Sequence, residues 1–198
     1  MELLFIGFLI ITSIVGIAFI IERSIALRWN KVLPPAVVSA VNACRNNEDI
    51  GMLERVCESN PSSLSRLIIK AIENLKWPKE ENEEALQTHA RQEIVKLERG
   101  LVVLEIVVGI APLLGLVGTI FGMMTLFSDL GKTGIPDPSA LATGIAVILN
   151  STLLGLLIAI PCLIAWNYFN NKVQAMVVEM ETICTEFLRR QYNLIEQP

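Results

Sequence analysis

Thr119 and Thr152 each lie inside a long stretch that carries no charge, Ile106–Ser128 and Pro138–Asn171. A hydroxyl both donates and accepts hydrogen bonds, so a pair of them can solvate a carboxyl group in its charged and its neutral form. Asn150 and Ser151 adjoin Thr152, and the four residues together would make a polar belt in apolar sequence. The alternative for each threonine is a bond to the carbonyl one turn back in its own helix, a habit of hydroxyl residues in membrane helices. Neither stretch contains Asp, Glu, Lys, Arg or His. A proton path needs a titratable carrier or a water chain; if protons cross here, the carrier comes from a second polypeptide. Glu105 stands at the inner edge of the first stretch and is a candidate exit group, or merely an interfacial one.

Both stretches are rich in small residues at helical spacing. Ala111, Gly115, Gly118, Gly122 and Thr125 share one helix face, and Gly144, Ser151, Gly155, Ala159 and Cys162 share another. Faces of this kind let backbones approach closely, within one subunit or between identical ones. Pro112 and Pro161 interrupt the ladders, freeing the carbonyls of Val108 and Leu157; each would kink its helix or tolerate a water nearby.

The elements that position these residues follow from composition. The chain has 198 residues, 53% of them hydrophobic, with a mean hydropathy of +0.54. That places it among membrane proteins. About 20 apolar residues cross a bilayer, and Leu3–Ile21 supplies a first span before the two already named. It lacks the basic start and short core of a cleaved signal, so it is expected to stay as an anchor. The expected organisation is a first transmembrane helix over 1–21, a cytoplasmic helical region over 22–100, a core with two more transmembrane helices over 101–169, and a cytoplasmic C-terminal helix over 170–198. The Lys and Arg residues concentrate in 22–100 and in the tail, while Lys132 alone falls between the second and third spans. By the positive-inside rule the N-terminus is then outside and the C-terminus cytoplasmic. On the helical rise, Thr119 and Thr152 both sit about 12–16 Å from the outer ends of their spans.

Within 22–100, breaks at Pro34-Pro35, Asn60-Pro61 and Trp77-Pro78 predict short helices near 36–46, 50–58 and 61–75, with Asn60 as an N-cap. The first helix is expected to run on to Trp29 or Lys31. From Glu80 a stripe of Leu86, Ala90, Ile94, Leu97, Leu101 and Leu104 predicts one helix running into the second span. Val173, Met176, Met180, Ile183 and Phe187 form a matching stripe after the third, and the two are expected to pack as a cytoplasmic stalk. No alternating run predicts a strand. The fold class is therefore an all-α membrane protein with three transmembrane helices.

Several chemistries find no support. Acidic and basic residues are equal in number over 22–100 and the net charge is −4, so nothing resembles a nucleic-acid surface. Cys44, Cys57, Cys162 and Cys184 match no zinc spacing and are expected as reduced thiols. Gly131-Lys132-Thr133 ends like a phosphate-binding loop, but Leu126 stands where such a loop needs glycine. His89 is the only histidine and has no partner pattern for metal binding or catalysis. No cofactor, metal site or enzymatic activity is expected.

The segments APLLGLVGTIFGMMTLF (111–127) and GIAVILNSTLLGLLIAIPCLIAWNYF (144–169) resemble the MotA/TolQ/ExbB proton channel family. The three-span plan, with a large polar segment after the first span, is similar to the ExbB and TolQ type over the whole chain. The resemblance implies a homo-oligomeric ring, a pentamer, in the bacterial inner membrane, its N-terminus periplasmic. The ring surrounds the single membrane helix of an ExbD-, TolR- or MotB-like partner, whose Asp carries protons across while the flow drives work in the periplasm or outer membrane. The family's pore-lining threonines correspond to Thr119 and Thr152. One departure is visible: ExbB and TolQ sequences usually carry Glu where this chain has Val147, which puts an exit route through that carboxylate in doubt and opens the alternative of sodium use. A scaffold that holds a partner helix without ion flow is the alternative from another class.

Overall fold

The computed structural model describes residues 2–46, 49–133 and 138–195. The described residues form helices and turns only: α1 (Glu2–Ala26), α2 (Trp29–Val32), α3 (Pro35–Ala43), α4 (Ile50–Ser59), α5 (Ser63–Glu73), α6 (Lys79–Glu98), α7 (Leu101–Thr133) and α8 (Pro138–Ile195). Among them, three helices are long and apolar enough to cross a membrane, with spans at Phe5–Ala26, Leu101–Gly131 and within Pro138–Leu194. The chain is accordingly an all-helical, multi-pass membrane protein. It divides into two compact units, one of residues 1–23 with 100–168 and the other of 24–99 with 169–198.

The first unit packs α1, α7 and the apolar part of α8. Phe5 of α1 meets Phe121 of α7 with ring centroids 5.8 Å apart. Gly16 of α1 faces Cys162 of α8 so closely that a side-chain carbon there would lie 2.7 Å from the sulfur. Most of the large apolar side chains of this unit are exposed, among them Ile14, Ile17, Leu113, Leu116, Leu153 and Leu157. That is the surface expected where the surrounding solvent is lipid, or another helix, in place of water.

The second unit has an ordinary hydrophobic core. Val37 and Val41 of α3, Leu53 and Cys57 of α4, Leu64, Leu67, Ile68 and Ala71 of α5, and Leu86 of α6 close around Met176, Met180, Ile183, Phe187 and Leu188 of α8. The tail stripe thus does more than pair with α6. Its helix is the spine on which α3–α5 also pack, because an amphipathic helix buries its apolar stripe against whichever apolar faces are available.

Local signals account for most boundaries, with instructive exceptions. Pro35 starts α3 at its first position, where a missing N–H costs nothing. The N-cap of α5 is Ser62 and not Asn60: Ser62 Oγ accepts from the Ser65 amide at 3.1 Å, while Asn60 closes α4. Ser62 holds extended backbone angles, as an N-cap must, and Pro61 lies outside the helix. The first span ends at Ala26, and residues 29–32 form a separate short turn of helix instead of its continuation. The long helix expected from Glu80 is broken at Arg99-Gly100 into α6 and α7. Arg99 keeps helical angles, so the interruption sits at Gly100, against which the Arg23 side chain packs where a methyl would stand.

Candidate functional site

The site is built on the seam between α7 and α8. A side-chain carbon on Gly155 would stand 2.6 Å from the Ala111 carbonyl oxygen, and one on Gly115 would stand 2.7 Å from the Ser151 carbonyl oxygen and 2.9 Å from Thr152 Cα. At these two positions backbone touches backbone, and only glycine fits. Gly118 faces the Ser151 side chain and Gly122 faces Ile148, looser contacts with side-chain atoms. Gly144, at the far end of the seam, would meet only Leu126 Cδ1 at 3.4 Å. Gly109, by contrast, has nothing within 4 Å, so the crowding is confined to one face.

The close approach brings the two threonines together. Thr152 Oγ1 lies 3.4 Å from Thr119 Oγ1 and 3.3 Å from the Gly115 carbonyl oxygen, while Thr119 Oγ1 donates to the Leu116 carbonyl at 2.7 Å. Thr119 therefore bonds its own helix, three residues back. Thr152 does not; its one hydroxyl hydrogen is shared between two acceptors on α7. Both of those contacts exceed the usual hydroxyl range of 2.5–3.0 Å and are weak, so the Thr152 proton is readily redirected to a stronger acceptor. Each oxygen also keeps a spare lone pair for an incoming donor. Thr119 is buried and Thr152 half-buried, each within an uncharged stretch of its helix.

The other residues named from the sequence separate in space. Ser151 is half-buried against Gly118, whereas Asn150 is exposed. Successive helical residues are about 100° apart, so Asn150 lies nearly opposite Thr152, and the three contiguous positions 150–152 cannot all face one way. Val147, Leu153 and Leu154 are exposed as well. Pro112 is half-buried and Pro161 exposed, and both sit within continuous helices. Glu105 is exposed in the second turn of α7. Lys132 and the residues over 134–137 lie outside the described side chains.

The second unit holds polar groups that sequence reasoning missed. Glu93 of α6 is 5% exposed and is held by Arg66 Nε at 3.0 Å, by a second Arg66 nitrogen, and by Lys96 at 2.7 Å. Burial opposes its ionisation, but hydrogen bonds from Arg66, Lys96 and Ser63 prevail and hold its carboxyl down at about 2. The Glu93–Lys96 spacing was visible in the sequence; the Arg66 partner, 27 positions away, was not. Asn82, fully buried, donates to the Ala71 carbonyl and to Tyr192 Oη, each at 3.1 Å, and Tyr192 donates on to the Trp77 carbonyl at 2.9 Å. The four cysteines are free and buried. Burial pushes the Cys57 thiol up to about 11 and that of Cys184 up to about 12.

Comparison with known proteins gives a consistent answer. The model of the MotA/TolQ/ExbB proton channel family matches residues 59–182. A biopolymer transport protein ExbB homologue of Methanothermobacter thermautotrophicus is 32% identical over 158 residues, covering 78% of this chain and 54% of the relative. An ExbB-like 3 biopolymer transport protein of Synechocystis is 29% identical over 195 residues, covering 94% of this chain and 90% of the relative. The biopolymer transport protein ExbB of Helicobacter pylori is 41% identical over 71 residues, 36% of this chain and 49% of the relative. The chain thus spans about half the length of the archaeal and Helicobacter relatives and most of the cyanobacterial one.

Proposed function

Because the chain belongs to the MotA/TolQ/ExbB proton channel family, we propose that it is the ring subunit of a proton-driven energy transducer of the biopolymer-transport type. In this reading several copies surround the single membrane helix of an ExbD-, TolR- or MotB-like protein. That helix brings an Asp, and protons cross the bacterial inner membrane by way of it, with the N-terminus of this chain on the periplasmic side and the second unit in the cytoplasm. The flow past the ring is coupled to work in the periplasm or at the outer membrane.

The observation that carries the reading is the Thr119–Thr152 hydroxyl pair, 3.4 Å apart, each within an uncharged stretch of its helix. A carboxyl group passing such a pair finds an acceptor for its proton when neutral and a donor when ionised. Ser151 supports the same wall from its place against Gly118, and Asn150 is exposed on another face of α8. Glu105, at the inner end of α7, lies on the exit side. The stretches 106–128 and 138–171 contain no carboxylate, so in this reading the acid beside the hydroxyl pair comes from the partner.

The test is reconstitution of this chain with its partner in liposomes carrying a pH gradient. Thr152→Val keeps the shape and removes the hydroxyl; flux should fall by at least tenfold while the complex still assembles. Flux at the wild-type rate in Thr152→Val would refute the role of the pair, and no flux in the wild-type complex would favour the scaffold. Replacing the proton gradient with a sodium gradient distinguishes the two ions, a question raised by Val147 at the position where ExbB and TolQ sequences usually have Glu.

A further inference from the structure

The second unit contains an open cavity of about 550 Å³ between the chain that leaves α1 and the start of α5. Its polar lining includes Asn30, Lys31, Ser62, Ser63 and Arg66, and none of its lining residues is acidic. Lys31 is exposed, and the Arg66 side chain is 50% exposed. Arg66 is paired with Glu93, but Glu93 also binds Lys96, so one negative charge is divided between two cations and the cavity keeps a positive balance. Arg66 Nη2 also reaches Ser63 Oγ at 3.2 Å, which holds the guanidinium across the first turn of α5. The N-terminal end of α5 adds to the same field, since helix N-termini favour anions.

Two lining residues fix where this cavity lies along the chain. Ala26 is the last residue of the first apolar span, and Leu97 stands four positions before the second. Residues at those positions stand at the edge of the bilayer, in the headgroup layer. Val32, Pro34 and Leu97 provide apolar walls beside the cationic ones. A cationic, hydroxyl-lined hollow with apolar flanks at that depth matches an anionic phospholipid, whose phosphate needs N–H and O–H donors and whose glycerol and upper acyl carbons need apolar contact.

We propose that this cavity binds the headgroup of an anionic phospholipid of the leaflet facing the second unit, with Lys31 and Arg66 on the phosphate and the Ser62-Ser63 turn of α5 beneath it. The site is independent of the Thr119–Thr152 pair, and its occupancy is read without ion flux.

The full chain, purified in detergent, is placed in nanodiscs of phosphatidylcholine alone or with phosphatidylglycerol, and retained lipid is measured by native mass spectrometry. Phosphatidylglycerol should be retained over phosphatidylcholine, and Lys31→Glu should lower that preference about tenfold. Lys31→Gln should lower it less. Lys76→Glu makes the same charge change at an exposed residue outside the cavity and should leave it unchanged. Thermal unfolding in lipid-free detergent checks that the variants are folded; Lys31, exposed and without a place in the core, should melt as wild type when reversed. Equal loss in Lys76→Glu would reduce the effect to net charge and overturn the proposal. So would an unchanged preference in Lys31→Glu, or displacement of the lipid by inorganic phosphate at millimolar concentration, which would mark a site for the free anion.

Discussion

Gly155→Ala should do more damage than a single methyl group suggests. The added carbon would stand 2.6 Å from the Ala111 carbonyl oxygen, where ordinary contact begins near 3.4 Å. The obstacle is backbone, so no rotamer change relieves it, and α7 and α8 must separate locally by about 0.8 Å or strain by an equivalent amount. Overpacking of this kind costs about 1–3 kcal/mol. The separation also reaches the hydroxyls: Thr152 stands 3.3 Å from the Gly115 carbonyl and 3.4 Å from Thr119, so any further opening ends both contacts. Gly115→Ala meets backbone at 2.7 and 2.9 Å and should behave alike. Gly122→Ala meets side-chain carbons of Ile148, the nearest at 2.9 Å, and should cost less than either because no backbone stands in the way; Gly109→Ala meets nothing within 4 Å and should be neutral or slightly stabilising. Thermal unfolding of the four variants in one detergent gives the order, and proton flux with the partner present should follow it. If Gly155→Ala melted with Gly109→Ala, the backbone contact would not be holding the seam.

The ion pair of Glu93 gives a pH dependence of defined sign. Its carboxyl is held at about 2 against a usual 4.5, so its stabilisation is present above pH 4.5 and is lost as pH falls towards 2; with half-exposed partners it amounts to roughly 1–2 kcal/mol. Acid unfolding followed by circular dichroism should show that slope in wild type and lack it in Glu93→Gln; identical acid profiles would refute the assignment. Burial holds Cys57 and Cys184 protonated at neutral pH, so iodoacetamide should modify them only after denaturation, and rapid labelling of the folded chain at pH 7 would contradict the described core. Ser62→Ala removes the cap on the Ser65 amide and should destabilise the second unit by about 1 kcal/mol in chemical denaturation; a change below the error of that measurement would mean that water caps α5 equally well.

The chain made its helices legible because each is written in a strong period or bounded by proline. Met176, Met180, Ile183 and Phe187 announced a buried stripe, and all four are buried. What that stripe would bury against was not legible, since spacing names a face and not its partner; the packing of α3, α4 and α5 onto it depends on contacts far apart in sequence. The same limit hid Arg66 behind Glu93. Cap positions failed where two signals competed: Asn60 and Ser62 both suit an N-cap, and only backbone angles separate them. At the seam, glycine spacing pointed to close approach, and Gly115 and Gly155 meet backbone, but contiguity in sequence made Asn150 look like a neighbour of Thr152 when the helical turn sets it on the far side. Gly100 was read as part of a continuous helix because hydrophobic period runs through it; its missing side chain is instead the space the Arg23 side chain fills.

The glycine contact also limits how the seam can move. Where two main chains meet without side chains between them, neither can slide past the other by a fraction of a turn without driving Ser151 off Gly118, or Ile148 off Gly122, and against the bulkier residues beside those glycines. The pair of oxygens is then indexed by the peptide frame itself, like marks engraved on two halves of a closed vise. Motion of the outer side chains leaves that alignment in place.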